Sequence, residues 1–383
     1  MNILFICGCL EPGKDGVGDY TRTLGGALVL KGASVSFLSI NDGFVNSDYN
    51  KNTENELRIS SSLLWDERVA LAKKFVSEIN PDFISLQFVP YSFNRKGVLK
   101  SEIYYFKEIM KGYKVHIMFH ELWVGAHTTA NFKARVYNLL QRTSIKKLIT
   151  TIKPRLINTS CAVFQFMLKK INVNSSRLPI FSNIRLNKEQ ETWVFYEFLK
   201  KYSINTSGNF KSACWVFSLF GGIHNEFDYS SLFSLIKSNA KKHNKKVIII
   251  SIGKIGNGLE LWNKMKMDFE DSFTFISTGP QDSSLISTFL SNTDFGITAY
   301  PDIAVGKSGS IAAFLEHKVP VIVSRRDIVL KGFTISKEDM DGLILYPGEF
   351  DNYINSSSRK PLVSSYMNVE EVADKFLQEI KNM

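Results

Sequence analysis

The sequence has no apolar run near the roughly 18 to 20 residues that a membrane-spanning helix requires. Its longest, such as VIIISIG at 247–253, have the length of strands. The opening MNILFICGCL has no basic region before its apolar run and no small-residue cleavage pattern after it, so it reads as a buried first strand rather than a leader. Cysteine is scarce: Cys7, Cys9, Cys161 and Cys214 lack paired metal-type spacing and are expected as reduced, buried thiols of a cytoplasmic protein. Six scattered histidines give no support to a structural zinc or a His-rich metal site. No repeat of fixed period is present, and the only low-complexity tract is the short Ser-rich stretch at 355–360.

What is there is a chain of 383 residues, 44% hydrophobic and 22% charged, enough to bury cores in two or three domains. Apolar runs of strand length recur between amphipathic stretches: NILFIC, ASVSFLSI, FISLQF, VHIMF and RLINTS before residue 180, then CWVFSLF, VIIISIG, FTFIST, FGITAY and VPVIVS after 210. Such alternation predicts βαβ units and parallel sheets buried on both faces, that is, two Rossmann-like doubly wound α/β domains. The intervening segment lacks a strand-type run and ends in the turn formers Asn-Thr-Ser-Gly-Asn. The expected division is therefore a first domain over 1–183, a linker over 184–210, a second domain over 211–365 and a closing helix over 366–383. Asn368 and Glu371 have the spacing of a capping box for that helix. Ligands of open α/β sheets bind beyond the carboxyl ends of the strands, which places the expected site in a cleft lined by those ends.

The formal charge of +10 is unevenly placed: residues 95–155 hold thirteen Lys/Arg against three Glu, a net +10 on that segment alone. The mixture of cations and aromatics there, with helical amphipathic spacing in FKARVYNLLQRTSIKKLITTIKPR, fits either a solvated helix face or contact with an anionic membrane surface or glycan. Buried strand-like runs within it and the lack of a reader motif argue against nucleic acid.

In FGITAYPDIAVGKSGSIAAFLEHKVPVIVS (295–324) a strand over 295–300 leads into a helix starting near Ser308–Ser310 and then a strand over 319–323. Ser308, Gly309 and Ser310 offer backbone N–H groups, Lys307 adds a positive charge, and the helix dipole favours an anion such as a diphosphate. The plainer reading of Lys-Ser-Gly-Ser is a capped helix. With AAFLEHKVPVIV following, the segment resembles retaining nucleotide-sugar glycosyltransferases of the GT-B fold, family 4 type. That resemblance implies two Rossmann-like domains facing a cleft, a nucleoside-diphosphate sugar as co-substrate with no cofactor, and a glycan, glycolipid or other acceptor in surface polysaccharide or glycoconjugate synthesis. It implies a metal-independent transferase; the one Asp-x-Asp, Asp339-Met340-Asp341, reads as an exposed turn.

The sequence departs from the family pattern. Ala304 and Ala312 stand where two Glu separated by seven residues are usual, so Asp302 and Glu316 become the substitute acceptors for hydroxyl groups. In FGGIHNEFD, Gly222 and Phe227 stand where an Arg and a Lys are common. Gly221, Gly222 and His224 are then the donor-loop candidates, with Lys254, Lys307 and Arg325 as the available cations for the diphosphate.

In the first half, Gly16-Val17-Gly18 opens a helix but lacks the G-x-G-x-x-G spacing, and only Asn41-Asp42 approximates an acid at the end of the second strand. The Gly-Val-Gly-Asp-Tyr run does resemble the glycine-rich loop of the same family. His120 follows the strand VHIMF, and family members carry a sugar-contacting histidine at such a strand end; Glu121 beside it is a candidate base or a supporting residue. Two other functions stay open: a non-catalytic nucleotide- or glycan-binding GT-B relative, and an NAD-dependent oxidoreductase or epimerase using the first domain.

Overall fold

Each apolar run predicted as a strand forms one, because a strand covered by helices on both faces must be apolar on both. The computed structural model describes residues 1–187, 192–206, 208, 210–355 and 366–382, and the chain divides into two units. The first comprises Met1–Ile180, Val329–Phe333 and Met367–Met383; the second comprises Phe181–Ile328 and Thr334–Tyr366.

The first unit holds β1 (Asn2–Cys7), β2 (Ser34–Asp42), β3 (Tyr49–Thr53), β4 (Glu56–Ser60), β5 (Phe83–Phe88), β6 (Lys114–Phe119), β7 (Leu156–Thr159) and β8 (Ser176–Arg177). Among the described residues they make one sheet of order β3-β4-β2-β1-β5-β6-β7-β8. All pairs are parallel except β3 with β4, an antiparallel hairpin at the edge. That hairpin corrects the expectation of a wholly parallel sheet; the polar YNKNT of β3 carries no strand pattern, since a solvated edge strand needs none.

The helix Val369–Lys381 packs on this first unit. Its capping box is formed: Asn368 Oδ1 accepts from the Glu371 N–H and the Glu371 carboxylate accepts from the Asn368 N–H, each at 2.9 Å. Phe376 stacks on Phe5 at 6.0 Å, and Glu379 accepts from Asn158 Nδ2 at 2.7 Å and Ser176 Oγ at 3.0 Å. All four cysteines are free and buried.

The second unit holds β9 (Cys214–Phe220), β10 (Lys246–Ile252), β11 (Phe273–Ser277), β12 (Phe295–Pro301), β13 (Val321–Arg325) and β14 (Leu343–Leu345), in a parallel sheet of order β11-β10-β9-β12-β13-β14. Period-two alternation sends Trp215, Phe217 and Leu219 into the core on one face and Cys214 and Val216 into the core on the other. The segment 184–210, read above as a linker, contains the helix Thr192–Lys200, whose buried Phe195 meets Phe289 edge-on at 5.6 Å. β13 starts two residues later than expected because Val319 N–H closes the preceding helix on Phe314 O and Pro320 has no N–H to give. No helix among the described residues is long and apolar enough to cross a membrane.

Candidate functional site

Strand order in the second unit reverses between β9 and β12, and a doubly wound sheet opens its ligand crevice at such a switch point. The ladder between these strands is confined to Phe217 with Phe295 and Ser218 with Gly296. Where it would continue lies a shallow, solvent-open pocket lined by Leu219, Phe220 and Gly222–His224 from the β9 side, Ile297–Tyr300 from β12, and Ser310.

Gly221 sits at φ +82°, which lets the chain turn out of β9. The turn is pinned to the end of β10 by Gly221 N–H to Ile252 O and Ile223 N–H to Ile255 O, each 3.0 Å. After β12, Asp302–Lys307 forms a 3-10 turn, and Ser308 caps the helix Gly309–Glu316 by accepting from the Ile311 N–H. Helix and strand approach closely because Gly296 leaves room for the Phe314 ring, which would stand 2.7 Å from a Cβ there. Nothing lies within 4 Å of where a Cβ of Gly309 would be. The helix start is therefore open to a ligand, with Ser308 and Ser310 hydroxyls 3.0 Å apart beside it.

His224 meets the Tyr300 ring edge-on at 5.5 Å, and Lys307 Nζ lies 5.8 Å from the same ring centroid. Gly222, His224 and Ser310 thus line one pocket, and Tyr300 links His224 to Lys307. Tyr300 escaped sequence reasoning; the signal was an aromatic residue at the last positions of a buried strand, where side chains reach the strand end.

Other candidates stand elsewhere. Lys254 is exposed beyond β10 and does not line the pocket. Asp302 is buried, accepting from the Ile303 N–H at 2.7 Å and facing Arg326 Nε at 3.6 Å. Burial pushes its carboxyl above the usual range, while the Ile303 N–H and Arg326 oppose that. Glu316 ends the helix that Gly309 begins, about 10 Å away at 1.5 Å per residue. Arg325 is engaged by Asp327 through a two-bond fork of 3.0 and 3.1 Å.

In the first unit, the helix Gly16–Leu30 is capped by Asp15, whose carboxylate accepts from Val17 N–H at 2.8 Å and Gly18 N–H at 2.9 Å. Those two N–H groups therefore already hold an anion. Gly18 is required for packing: a Cβ there would lie 2.5 Å from Cys9 O. Asp42, at the end of β2, accepts from Leu10 N–H, Phe44 N–H, Ser39 Oγ and two nitrogens of Arg58. It has no lone pair to spare for a ribose, so the nearest approximation to a ribose-binding acid is already engaged.

His120 is 7% exposed and meets Tyr20 edge-on at 4.8 Å. Gln87 bridges it to a second histidine: Gln87 Oε1 accepts from His120 Nε2–H at 2.8 Å, Gln87 Nε2 donates to Ser85 Oγ at 2.7 Å, and Ser85 Oγ and His116 Nδ1 share a hydrogen bond of 2.9 Å. Burial lowers both imidazoles to a pKa of about 3, so His120 is neutral at physiological pH with Nδ1 as its acceptor. Glu121, beside it, is half-buried.

An unfolded histidine titrates near 6.5, so between pH 6.5 and 3 the unfolded chain binds more protons than the folded one. Stability should be complete above pH 6.5 and fall as the pH drops below it. Urea midpoints at stepped pH check this, and a profile that stays flat down to the carboxylate range would contradict it.

No protein-family model and no curated protein matches the sequence. Solved structures match over the whole chain. Sucrose-phosphate synthase from Thermosynechococcus elongatus aligns with a TM-score of 0.63 at 12% identity, covering 100% of this chain and 99% of that one. Anabaena HepE in complex with UDP-glucose aligns at 0.63 and 11% identity, covering 100% of both chains. A putative UDP-N-acetylglucosamine 2-epimerase from Listeria monocytogenes aligns at 0.55 and 10% identity, covering 100% and 96%. At such identities the likeness carries the fold, and the chain has the two-Rossmann-domain GT-B fold of these proteins.

Proposed function

We propose that this protein is a nucleotide-sugar-dependent glycosyltransferase that holds the donor diphosphate in the second unit. The observation that carries the reading is the pocket at the β9/β12 switch point, where an open helix start, two serine hydroxyls and the Lys307–Tyr300–His224 cluster meet. Helix N–H groups and a lysine are the groups that neutralise a departing diphosphate. In a retaining reaction the bond from the anomeric carbon to the phosphate oxygen breaks and the acceptor hydroxyl oxygen bonds that carbon on the same face. The hydroxyl proton passes to the leaving phosphate, which needs neither a protein base nor a metal. HepE was solved with UDP, which makes UDP the first nucleotide to try. Calorimetric titration with a panel of nucleoside diphosphates in EDTA tests the proposal; if none binds, it fails.

Ala304 and Ala312 favour a second reading, a binding protein that holds nucleotide without transfer. A transfer assay with radiolabelled sugar separates the two, and chromatography of recovered donor separates both from an epimerase.

The acceptor side is assigned to the first unit and to a membrane surface, through the helix Phe132–Ile152. One face of this helix buries Gln141, Ser144, Ile145 and Leu148. The opposite face exposes Phe132, Val136, Leu139 and Leu140, spaced one and two turns apart and flanked by Lys133, Arg135 and Arg142. Cations beside an exposed apolar stripe match an anionic bilayer, each contributing on the order of 1 kcal/mol. Sedimentation with liposomes containing anionic lipid should exceed that with neutral ones and fall in a Leu139→Ser/Leu140→Ser variant; binding indifferent to both changes would refute the surface.

A further inference from the structure

A second pocket, of about 310 Å³ and open to solvent, lies in the first unit and is lined by Asn41, Ser61, Trp65, Arg68, Tyr91, Phe93, Asn94 and Arg95. It stands at the carboxyl ends of β2, β4 and β5, beside the first turn of the helix Trp65–Ile79. Arg68 is only 7% exposed. Its three recorded partners are neutral oxygens: Leu63 O at 2.8 Å from Nε, Asn41 Oδ1 at 2.6 Å from Nη1, and Ser61 O at 2.5 Å from Nη2. A guanidinium carries five N–H donors, so one on each terminal nitrogen has no acceptor among the described residues.

A buried cation is ordinarily paired, because desolvation without a counter-charge is costly. The other buried guanidinium among the described residues, Arg58, has two carboxylates; Arg68 has none, and burial accordingly lowers its pKa. The acids of its own turn do not serve it: Asp66 and Glu67 are exposed, and Glu67 accepts from the Leu64 N–H. Glu102, the buried acid closest in chain to Asn94, is held by Asn94 Nδ2 and the Lys100 N–H. Arg95 adds a second, exposed cation to a lining that contains no carboxylate.

We infer that this pocket binds an oxyanion, phosphate or carboxylate, carried on a sugar-sized ring. The oxyanion takes the two open N–H donors of Arg68 as a bidentate fork and Arg95 as its second charge. The ring rests against Tyr91, which is 42% exposed and oriented by Gln141 Nε2 donating to its hydroxyl at 2.9 Å. Resting on the proposed function, the ligand is the charged part of the acceptor, so the specificity for an acidic acceptor resides in Arg68 and Arg95.

Trp65 lines the pocket with Arg68 4.8 Å from its ring, which provides a local fluorescence signal. The full-length protein is titrated with inorganic phosphate, glucose 6-phosphate, glucuronate and glucose, with a Trp65→Phe variant to isolate that signal. At least one anionic sugar should give a saturable change absent from Trp65→Phe, bind more tightly than inorganic phosphate, and leave glucose without effect. The phosphorylated and carboxylated sugars decide which oxyanion is preferred. Arg68→Gln should weaken binding about 10- to 100-fold, the loss expected for a charge-assisted pair. Arg95→Gln lies at the surface, so it tests the site even if Arg68→Gln does not fold, and it should weaken binding several-fold. No saturable Trp65 signal with any anion, or equal binding of glucose, would overturn the pocket. Nucleoside diphosphate binding is measured separately: if it persists while the anions fail, this inference alone falls, and if the anions bind while every nucleotide fails, the transferase reading falls and the pocket stands.

Discussion

Lys307→Ala is expected to lower transfer about 100- to 1,000-fold and to weaken nucleoside diphosphate binding by about tenfold or more, while leaving the unfolding midpoint nearly unchanged. The asymmetry follows from its position. Lys307 closes a 3-10 turn and is half-buried, its ammonium 5.8 Å from the ring of the pocket residue Tyr300, so truncation removes charge without opening the core. The charge that develops on a leaving diphosphate is larger than the charge of the bound donor, so turnover should suffer more than affinity. Calorimetry, transfer assay and melting on the same preparations give the three numbers. Turnover equal to that of the unmodified protein would remove Lys307 from the chemistry. A Lys307→Arg variant that recovers nucleotide binding but not turnover would show that placement of the charge, not its presence alone, sets the rate.

The largest stability effect is expected from Arg58→Ala, a loss of about 3 to 5 kcal/mol. Arg58 donates to Asp42 at 2.9 and 3.1 Å and to Glu11 at 2.5 Å, and the Asp42 side chain is fully buried. Removing the cation strands an enclosed carboxylate and frees the loop after β1, which Asp42 anchors through the Leu10 N–H. Burial alone would raise the Asp42 pKa, but Arg58 and the N–H groups of Leu10 and Phe44 outweigh it and hold the carboxyl below its ordinary 3.8. The stabilisation is therefore full above the unfolded value near pH 4 and lost as pH falls through the lower, folded one. In the Arg58→Ala variant the urea midpoint should drop at neutral pH, and because burial then raises the Asp42 carboxyl, the acid-induced loss through the Asp42 range should shrink or reverse. A midpoint shift of less than about 1 kcal/mol would mean that the network contributes register and not stability.

Much of the second unit was legible because its signals are local. The run FGITAYP becomes β12, and the helix start at Ser308 falls where small capping residues put it. The capping box at Asn368 and Glu371 is likewise a matter of three residues' spacing. Gly16-Val17-Gly18 shows the opposite case. The helix start was visible, but Asp15 turning back to occupy its N–H groups is a side-chain choice that a glycine pattern does not encode. Glu316 and Asp302 were plausible by helical spacing, and the structure sets one at the far end of its helix and the other against Arg326.

By itself, then, the sequence determined the two series of strands, the helix start at Ser308, and the concentration of positive charge over 95–155, since each depends on periodicity or composition along one stretch of chain. Tertiary structure alone decided which strand ends become pockets. The β9/β12 opening exists because the ladder stops after two residue pairs, and Arg68 is a buried cation without a carboxylate because Asn41, from the end of β2, joins the nearby carbonyls of Ser61 and Leu63 around it. Strand order, ladder length and the absence of a counter-charge are relations between distant segments, and no local pattern carries them.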